Sequence, residues 1–367
     1  MTSLLTRIGL GAVATVGVAA LLTGCGQAPP ASSGGSGSAG ATKAASNYLP
    51  CIVSDQGGFD DHSFNESGLN GVKQAASKLG SQFKQVQSAT ANDYASNISN
   101  LVTQKCNVIV ASGFNLVDAV KDSASKNTDT DFVMIDDNSI KADNVKPIVF
   151  ETSQAAFLGG YAAAAYSKTG VVATYGGLAI PPVTIYMDGI ADGVKYYNQQ
   201  KKKNVKLLGW NEQTQKGTFV GNFTDQNKSK TITTNLLDSK ADVVIPVGGI
   251  IYQGAGAAIK SAKSSAVLEG VDADVYQTDT AGYKTLMLVS ILKNIQNVTN
   301  TAITQASSGT FDNSQYVGDL KNGGVGLSPF HDYESKVPST LASELDTIKQ
   351  GISDGSIAVD SPSSFSK

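Results

Sequence analysis

Short apolar runs alternate with amphipathic stretches along most of the chain, beginning near residue 49. The first series predicts strands near 49–55, 83–88, 107–112 and 131–136 and helices near 64–79, 93–105 and 115–126. This alternation is typical of parallel sheets covered by helices. The run at 147–153 adds either a further strand or the approach to a helix. The small residues of 155–170 predict a helix that ends at Gly170.

A second series of the same kind begins with VVATYGG at residues 171–177. It predicts strands in VVATYGG, VKLLGW, ADVVIPVGG and AVLEGVD and helices near 184–199, 226–238, 252–264, 281–307 and 338–352. Two successive series of similar size predict two α/β lobes, each with a parallel sheet between helices. A chain of 367 residues is long enough to form two such cores.

The predicted strands of both lobes end in polar, glycine-rich segments. These segments are SDQGGFDDHSFN, ASGFN, IDDN, TYGG, PVGG and GVDAD. In open α/β sheets, ligands bind beyond the carboxyl ends of the strands. We therefore expect these strand ends to face one another across a ligand cleft between the lobes.

The first 24 residues have the pattern of an export signal. Arg7 precedes the apolar run IGLGAVATVGVAALL, which is short and rich in Gly and Ala for a membrane span, although a membrane helix that buries Cys25 is the alternative. The run ends in LTGC, which resembles a bacterial lipobox and predicts cleavage before Cys25 and lipidation of that cysteine. Residues 25–46 are rich in Gly, Ser, Ala and Pro, as in a flexible tether. These features predict a bacterial lipoprotein anchored on the extracytoplasmic face of the cell membrane.

Cys51 and Cys106 each lie at the start of a predicted strand. If the two strands are neighbours in a parallel sheet, both cysteines lie at the same end of it. An oxidising compartment then permits a disulfide. Two buried free thiols fit the sequence equally well, because only geometry decides between the two arrangements.

The composition is that of a globular protein, with 41% hydrophobic and 16% charged residues. The formal net charge of −3 and the isoelectric point of about 5.5 argue against a nucleic-acid partner, since nucleic-acid-binding domains are normally basic. Arg7 is the only arginine, so the predicted lobes lack the side chain best suited to grip phosphate.

The sequence offers little catalytic chemistry. It contains no HExxH or CxxC, its two histidines are His62 and His331, and Asp60 and Asp61 are neighbours whose side chains diverge. No nucleophile and base can be paired from these residues. The residues alone leave an exported enzyme open, and they predict no metal site and no cofactor.

The segment GGFDDHSFNES, residues 57–67, follows the first predicted strand. Asp61 or Ser63 can cap the helix that follows, with Glu66 as the acid three residues after Ser63. Capping does not explain Phe64 beside Asn65. An aromatic ring at the rim of a cleft can stack on a flat ligand, and an amide can both donate to and accept from its edge. A capped loop and a ligand contact both remain open for this segment.

Asp272 in GVDAD and Lys293 form a second candidate pair. A carboxylate can accept two hydrogen bonds from a vicinal diol such as that of ribose, and an ammonium can add a third contact. The alternative is a solvated aspartate and a surface lysine. Gly254 and Gly256 in GAGAAIK resemble a dinucleotide fingerprint, but they lie inside a predicted helix, which favours close helix packing.

The order and spacing of several segments resemble the basic membrane protein (PnrA-like) family, the nucleoside-binding lipoproteins of ABC transporters. The resemblance covers about residues 49–360. It rests on DHSFN at 61–65, IDD at 135–137, ETSQAAFLGGYAAAA at 151–165, YxxG at 186–189 with Gly193, GVDAD at 270–274, SILK at 290–293 and GVGL at 324–327. No single segment is specific, but their order and spacing together are.

The resemblance implies a periplasmic-binding-protein type I fold, with two Rossmann-like lobes and parallel sheets around a cleft that holds a purine or related nucleoside. The implied contacts to the base are Asp61, Phe64, Asn65, Tyr186 and one of Asp136 and Asp137, and those to the sugar are Asp272, Lys293 and Gly248 or Gly249. In this pattern Phe64 and Tyr186 stack on the two faces of the base.

Three positions depart from residues that are usual in the family. His62 stands where Lys is usual, Tyr186 where Phe is usual, and Val275 where Gln is common. A tyrosine keeps the stacking ring and adds a hydroxyl. These departures therefore bear on the choice of base more than on nucleoside binding itself.

On this fold we assign residues 47–170 and 278–312 to the first lobe and residues 171–277 and 313–367 to the second. The expected partners are a nucleoside, the permease subunits of an ABC transporter and, through the lipid anchor, the membrane. We expect a monomer. A receptor for a sugar or other small polar ligand, an exported nucleoside hydrolase and a sensor without a permease remain as alternatives.

Overall fold

The structure is a computed structural model that describes residues 47–365. The predicted export signal, Cys25 and the whole predicted tether lie outside these residues. In chain order the strands are β1 (Pro50–Ser54), β2 (Lys84–Val86), β3 (Val108–Ser112), β4 (Asp131–Ile135), β5 (Val145–Phe150), β6 (Val171–Gly176), β7 (Lys206–Leu208), β8 (Trp210–Asn211), β9 (Lys216–Gly217), β10 (Val243–Val247), β11 (Val267–Asp272), β12 (Met287–Lys293), β13 (Tyr316–Gly318) and β14 (Val325–Leu327).

Helices alternate with these strands through most of the described chain. They are α1 (Phe64–Leu79), α2 (Tyr94–Thr103), α3 (Val117–Lys126), α4 (Thr152–Tyr166), α5 (Pro181–Lys201), α6 (Gln226–Asp238), α7 (Ile251–Ser261), α8 (Val275–Thr278), α9 (Ile295–Ala306) and α10 (Leu341–Asp354). Within residues 47–365, no helix combines the length and the apolar character needed to cross a membrane.

The strands form two six-stranded sheets with equivalent strand orders. The first sheet has the order β13-β5-β4-β3-β1-β2, and the second has the order β14-β12-β11-β10-β6-β7. Neighbouring strands are parallel in both sheets, apart from the antiparallel pair β12–β14. Strands β8 and β9 form a separate antiparallel hairpin. Two mainly parallel sheets covered by helices confirm the predicted α/β fold.

The described chain passes between the two sheets three times. The passages lie between β5 and α4, between β12 and α9, and between β13 and β14. Helix α4 packs mainly on α5 and so belongs with the second sheet, whereas α9 packs on α1 and belongs with the first. We use "first lobe" for the first sheet with α1–α3 and α9, and "second lobe" for the second sheet with α4–α8 and α10.

This arrangement differs from the predicted division of the lobes at three places. The first passage falls near residue 151 rather than 170, because α4 packs on the second lobe. Residues 287–293 pair with β11 in the second sheet, although 278–312 was assigned to the first lobe. Residues 316–318 pair with β5 in the first sheet, although 313–367 was assigned to the second lobe.

The long helix predicted for residues 281–307 is wrong. Residues 287–293 form β12, and only Ile295–Ala306 is helical. Nearly every residue of β12 is buried, so its side chains do not alternate between polar and apolar. A strand covered on both faces cannot be told from a buried helix by periodicity alone.

Helices α4 and α5 approach closely because glycines line their contact. A Cβ atom at Gly193 would lie 2.1 Å from the carbonyl oxygen of Phe157, and one at Gly160 would lie 2.3 Å from that of Ile190. No larger residue fits at either position without moving a backbone. The small-residue segment predicted as a helix is α4, which begins directly after the first passage. Its close packing fixes it against α5, the helix that carries Tyr186.

Cys51 and Cys106 are joined by a disulfide in the structure, with their Cα atoms 5.9 Å apart. Cys51 lies in β1, and Cys106 precedes β3, the strand that pairs with β1 in parallel. The disulfide therefore lies at the amino ends of these strands, away from the carboxyl ends where the cleft forms.

Candidate ligand-binding site

A cavity with about 520 Å³ of empty space, part of it open to solvent, lies between the lobes at the carboxyl ends of the strands. Apolar rings and a few polar side chains line it together, as is typical of small-molecule sites. All the predicted ligand contacts except Asp137 line the cavity. The further residues that line it are Asp55, Gly57, Gly113, Phe114, Ile180, Pro182, Val183, Phe223 and Val247.

Asp61 is buried and caps helix α1. Its carboxylate accepts the backbone N–H groups of Ser63 (3.1 Å), Asn65 (2.7 Å) and Glu66 (3.0 Å). Burial raises the pKa of Asp61 to about 7, and the nearby charge of Asp272 adds to this rise, although the backbone N–H groups oppose it. Of the two caps considered from the sequence, Asp61 rather than Ser63 holds the helix. Its oxygens reach the cavity wall, but their hydrogen bonds go to α1.

Asn65 and Asp55 form a polar pair on the first-lobe wall. The Asn65 amide nitrogen donates to Asp55 Oδ1 over 3.0 Å, and the amide oxygen of Asn65 is buried without a partner among the described residues. Burial raises the pKa of Asp55, while hydrogen bonds from Asn65, Gly57 and Asn115 oppose the rise. A buried acceptor without a donor is costly, so this wall is suited to a ligand that brings N–H or O–H groups.

Sequence reasoning missed Asp55 as a site residue. It directly follows β1 and was visible as the acid in the strand-end segment SDQGG. Asp61, six residues later, was predicted as the ligand contact instead, because it is close in sequence to Phe64 and Asn65.

The structure separates the roles of the adjacent acids Asp136 and Asp137. Asp136 lines the cavity, with one oxygen 2.8 Å from Lys293 Nζ and the other buried without a partner among the described residues. Burial raises the pKa of Asp136 to about 6, although the Lys293 ammonium opposes the rise. Asp137 instead accepts the backbone N–H and the hydroxyl of Ser139, and it holds the loop. Of the two, only Asp136 is placed to meet a ligand.

Lys293 and Asp272 meet in the wall of the second lobe. Lys293 Nζ lies 3.6 Å from Asp272 Oδ1, and both side chains are almost fully buried. Tyr186 donates its hydroxyl to the same Asp272 oxygen over 2.7 Å. Burial, with the nearby charge of Asp272, raises the pKa of Tyr186 well above its ordinary value, so the hydroxyl stays a donor. The carboxylate is thus held by a phenol and an ammonium.

Aromatic rings enter the cavity from both lobes. Lys293 Nζ lies 5.2 Å from the ring centre of Phe64 and 5.3 Å from that of Tyr186, so both rings border the same charge. Phe114 from the first lobe and Phe223 from the second also line the cavity. Tyr186 is only 1% exposed, which leaves little of its ring free.

Phe223 was also missed from the sequence, because it does not stand directly at the end of a predicted strand. It lies in the loop between β9 and α6, and its ring rests on two glycines. A Cβ atom would lie 2.3 Å from this ring at Gly177 and 2.7 Å from it at Gly248. The glycine-rich ends of β6 and β10 therefore make room for the ring. Gly248 and Gly249 also have positive φ angles, +139° and +41°, which glycine adopts without strain.

The other sequence candidates lie outside the cavity. Gly254 and Gly256 are inside α7, where a Cβ atom would lie 2.3 Å from the carbonyl oxygen of Gln226 and 2.4 Å from the Tyr283 ring. This geometry confirms that they serve close packing. In the described part of the chain, no three His, Cys, Asp or Glu side chains are grouped so that they could hold a metal ion.

Comparison with known proteins places the chain in a family. Residues 50–360 match the family described as ABC transporter substrate-binding protein PnrA-like. The chain is 29% identical to the ABC transporter nucleoside-binding protein BmpA of Lactococcus lactis subsp. cremoris (strain MG1363), over 96% of this chain and 98% of that protein. It is 27% identical to basic membrane protein A1 of Borrelia garinii subsp. bavariensis, over 83% of this chain and 86% of that one.

A solved structure has the same fold. An ABC transporter solute-binding protein from Aeropyrum pernix K1 is 24% identical and superimposes with a TM-score of 0.77, over 87% of this chain and 95% of that chain. The fold is therefore that of the periplasmic-binding-protein type I solute-binding proteins, as the resemblance implied. With its match over residues 50–360, this chain belongs to the PnrA-like family of ABC transporter substrate-binding proteins.

Proposed function

We propose that this protein binds a nucleoside, with a purine as its base, between the lobes and presents it to the permease of an ABC transporter. The observation that carries the proposal is the composition of one cavity. Aromatic rings, buried acceptors without donors, and an acid–lysine pair all line it. The printed name of the Lactococcus relative, a nucleoside-binding protein, agrees with this assignment.

The base would lie at the Asn65 and Asp136 side of the cavity. Each of these side chains keeps one buried oxygen without a partner among the described residues. The ring N–H and exocyclic amine groups of a purine are donors that match such oxygens. Asp55 holds the Asn65 amide in the orientation that leaves its oxygen free for the ligand.

The faces of the base would lie between rings from opposite lobes. Phe64 supplies the ring from the first lobe. From the second lobe we assign Phe223 together with Tyr186, because the Tyr186 hydroxyl is engaged by Asp272 and its ring is almost fully buried. Base–aromatic stacking is worth about 1–3 kcal/mol per base in single-stranded nucleic-acid complexes.

The sugar would lie against Asp272 and Lys293. A carboxylate can accept both hydroxyls of a ribose diol, and Lys293 Nζ is close enough to share them. Because the base and the sugar touch both lobes at once, ligand binding favours the closed arrangement of the lobes. The closed, ligand-bound protein is the form that we expect a permease to recognise.

We also propose that the lobes are anchored outside the cell membrane through a lipidated Cys25. Metabolic labelling with a radioactive fatty acid tests this: the full-length chain should become labelled and remain with the membrane fraction. Cys25→Ala should abolish both. Equal labelling of the variant would contradict the anchor.

Calorimetry tests nucleoside binding directly. The full-length chain is titrated with guanosine, inosine, cytidine and ribose, and the solutions are then examined by chromatography. Binding of the purine nucleosides with no free base formed supports the proposal. Binding of ribose as tightly as guanosine would favour a sugar receptor, and release of free base would favour a hydrolase.

A further inference from the structure

Several hydrogen bonds join the two lobes beside the ligand cavity. The Thr278 hydroxyl donates to the carbonyl oxygen of His62 over 2.6 Å, and the Thr280 hydroxyl lies 2.8 Å from His62 Nε2. His62 belongs to the turn before α1 in the first lobe, whereas the two threonines follow β11 in the second. These bonds therefore cross the cleft and must break when the lobes separate.

The backbone at His62 has an uncommon conformation. Its φ is +53°, in the left-handed region that non-glycine residues seldom occupy. This conformation places the carbonyl against Thr278 and the imidazole against Thr280. Such strain persists only where the surroundings hold it, and it concentrates at functional sites.

Both ring nitrogens of His62 are bonded, one within its own lobe and one across the cleft. Nδ1 lies 3.2 Å from Glu66 Oε2, and a carboxylate only accepts, so Nδ1 donates. In the neutral ring Nε2 is then an acceptor, and it takes the hydrogen of the Thr280 hydroxyl. The ring is held from its own helix on one side and from the opposite lobe on the other.

The next residue ties this turn to the ligand cavity. Ser63 donates its hydroxyl to the carbonyl oxygen of Val271 over 2.7 Å, and the same hydroxyl lies 3.4 Å from Asp272 Oδ2. The other oxygen of Asp272 accepts the Tyr186 hydroxyl inside the cavity. The contacts between the lobes therefore extend to Asp272, the carboxylate that we assign to the sugar.

We propose that the bonds of His62 to Thr278 and Thr280, together with the bond of Ser63 to Val271, form a latch that holds the lobes closed and sets the rate at which ligand leaves. The latch rests on the proposed function only in its choice of ligand. The latch bonds join protein groups only and do not touch the ligand. They therefore slow the opening of the closed state and add no contact to a ligand that is binding. Loss of latch bonds should therefore raise the dissociation rate constant and leave the association rate constant nearly unchanged.

The first experiment removes the threonine hydroxyls from the full-length chain. Thr278→Val and Thr280→Val each remove one bond, and Thr234→Val is the matched control. The Thr234 hydroxyl bonds only within α6, to the carbonyl oxygen of Lys230, on an exposed face. Association and dissociation of tritiated guanosine are followed by rapid filtration. Each latch variant should release guanosine about threefold to tenfold faster, the factor that corresponds to one ordinary hydrogen bond.

A double-mutant cycle separates the two halves of the latch. His62→Ala removes the imidazole but keeps the carbonyl oxygen that Thr278 uses. The effects of His62→Ala and Thr280→Val should therefore be non-additive, since both remove the same bond, whereas those of His62→Ala and Thr278→Val should multiply. A general loosening of the fold would not produce this difference.

Hydrogen exchange provides a readout that needs no ligand. The amides of Asn65 and Glu66, which Asp61 caps, should exchange faster in Thr278→Val and Thr280→Val than in Thr234→Val, although the substitutions lie in the other lobe. If the unsubstituted chain binds no guanosine, the proposed function is wrong, and hydrogen exchange is then the measurement that tests whether the latch exists. Exchange unchanged in both latch variants would overturn the latch, and faster exchange with unchanged guanosine release would overturn its control of release.

Discussion

The ammonium of Lys293 lies 2.8 Å from the carboxylate of Asp136, and the two residues come from different sheets. Lys293 ends β12 in the second sheet, and Asp136 follows β4 in the first. The side chains are 2% and 5% exposed. The ion pair therefore joins the two lobes. Both of its residues line the ligand cavity, at the point where β12 leads into a passage between the lobes.

Lys293→Met should therefore reduce both stability and binding. It leaves the carboxylates of Asp136 and Asp272 buried without their cation. Removing one partner of a buried ion pair typically costs about 3–5 kcal/mol. We expect urea unfolding at pH 7.5 to show a loss of that order in the free energy of unfolding. Adding Asp136→Asn should restore part of the stability without restoring guanosine affinity. A stability unchanged by Lys293→Met would contradict the role of the pair.

Tyr186→Phe tests whether Tyr186 acts through its hydroxyl. The substitution keeps the ring and removes the hydrogen bond to Asp272. Because hydrogen bonds to charged groups contribute about 1.5–3 kcal/mol, guanosine affinity should fall about tenfold or more. The control is Tyr175→Phe, whose hydroxyl bonds to Ser229 and Thr233 in the buried core of the second lobe. Calorimetry should show a loss of affinity for Tyr186→Phe only, and equal affinities would leave Tyr186 with a purely steric role.

Much of the candidate site could be predicted from the rule that ligands bind at the carboxyl ends of parallel strands. Asp136, Gly248 and Asp272 each stand where a strand ends, and all three line the cavity. The positions depend only on finding strands, which short apolar runs allow. The same rule pointed to Asp55, but the sequence does not show which of Asp55 and Asp61 has its oxygens occupied. The folded structure shows that Asp61 accepts three N–H groups, one from Ser63 and two from the first turn of α1.

Other features depend on contacts between distant segments, which the pattern of residues does not reveal. Phe223 reaches the cavity from a loop that follows a hairpin, and glycines in two other strands make room for its ring. The division between the lobes was misplaced because β12 is buried on both faces and α4 is apolar all round. Local periodicity therefore does not indicate the sheet against which either segment packs.

Phe64→Ala should weaken nucleoside binding by the loss of stacking. At about 1–3 kcal/mol per base, the dissociation constant for guanosine should rise roughly 5- to 150-fold. Phe83→Ala serves as the control, because Phe83 also packs partly buried against the core but does not line the cavity. Calorimetric titration of both variants with guanosine and with ribose separates the base from the sugar, since ribose affinity should not respond to Phe64→Ala. An unchanged guanosine affinity in Phe64→Ala would show that the ring does not stack on the base.

The buried acids predict that stability falls as the pH rises from acid to neutral. Burial raises the pKa of Asp61 to about 7 and that of Asp136 to about 6, from an ordinary value of 3.8. Between these values the folded protein keeps protons that the unfolded chain has released. The unfolded chain binds fewer protons there, so the free energy of unfolding decreases with rising pH. The contribution of these acids is complete below about pH 4 and is lost as the pH rises through about 6–7.

Urea unfolding between pH 4 and pH 8 measures this slope. Asp61→Asn should flatten the curve because the side chain no longer titrates, whereas Asp238→Asn on the exposed end of α6 should leave it unchanged. If Asp61→Asn and the unsubstituted protein had parallel curves, Asp61 would not hold its proton as its burial implies.

Removal of the disulfide should separate stability from binding. Cys51 and Cys106 are 55 residues apart, and joining them restricts the unfolded chain. Replacing both by alanine should lower the free energy of unfolding by about 2–5 kcal/mol. The disulfide joins the amino ends of β1 and β3, whereas the cavity lies at the carboxyl ends of the strands, so guanosine affinity well below the melting temperature should be unchanged. Thermal unfolding with and without a reducing agent, together with calorimetry, tests both expectations. A fall in affinity without a fall in melting temperature would mean that the disulfide positions Asp55, at the far end of β1, rather than stabilising the lobe.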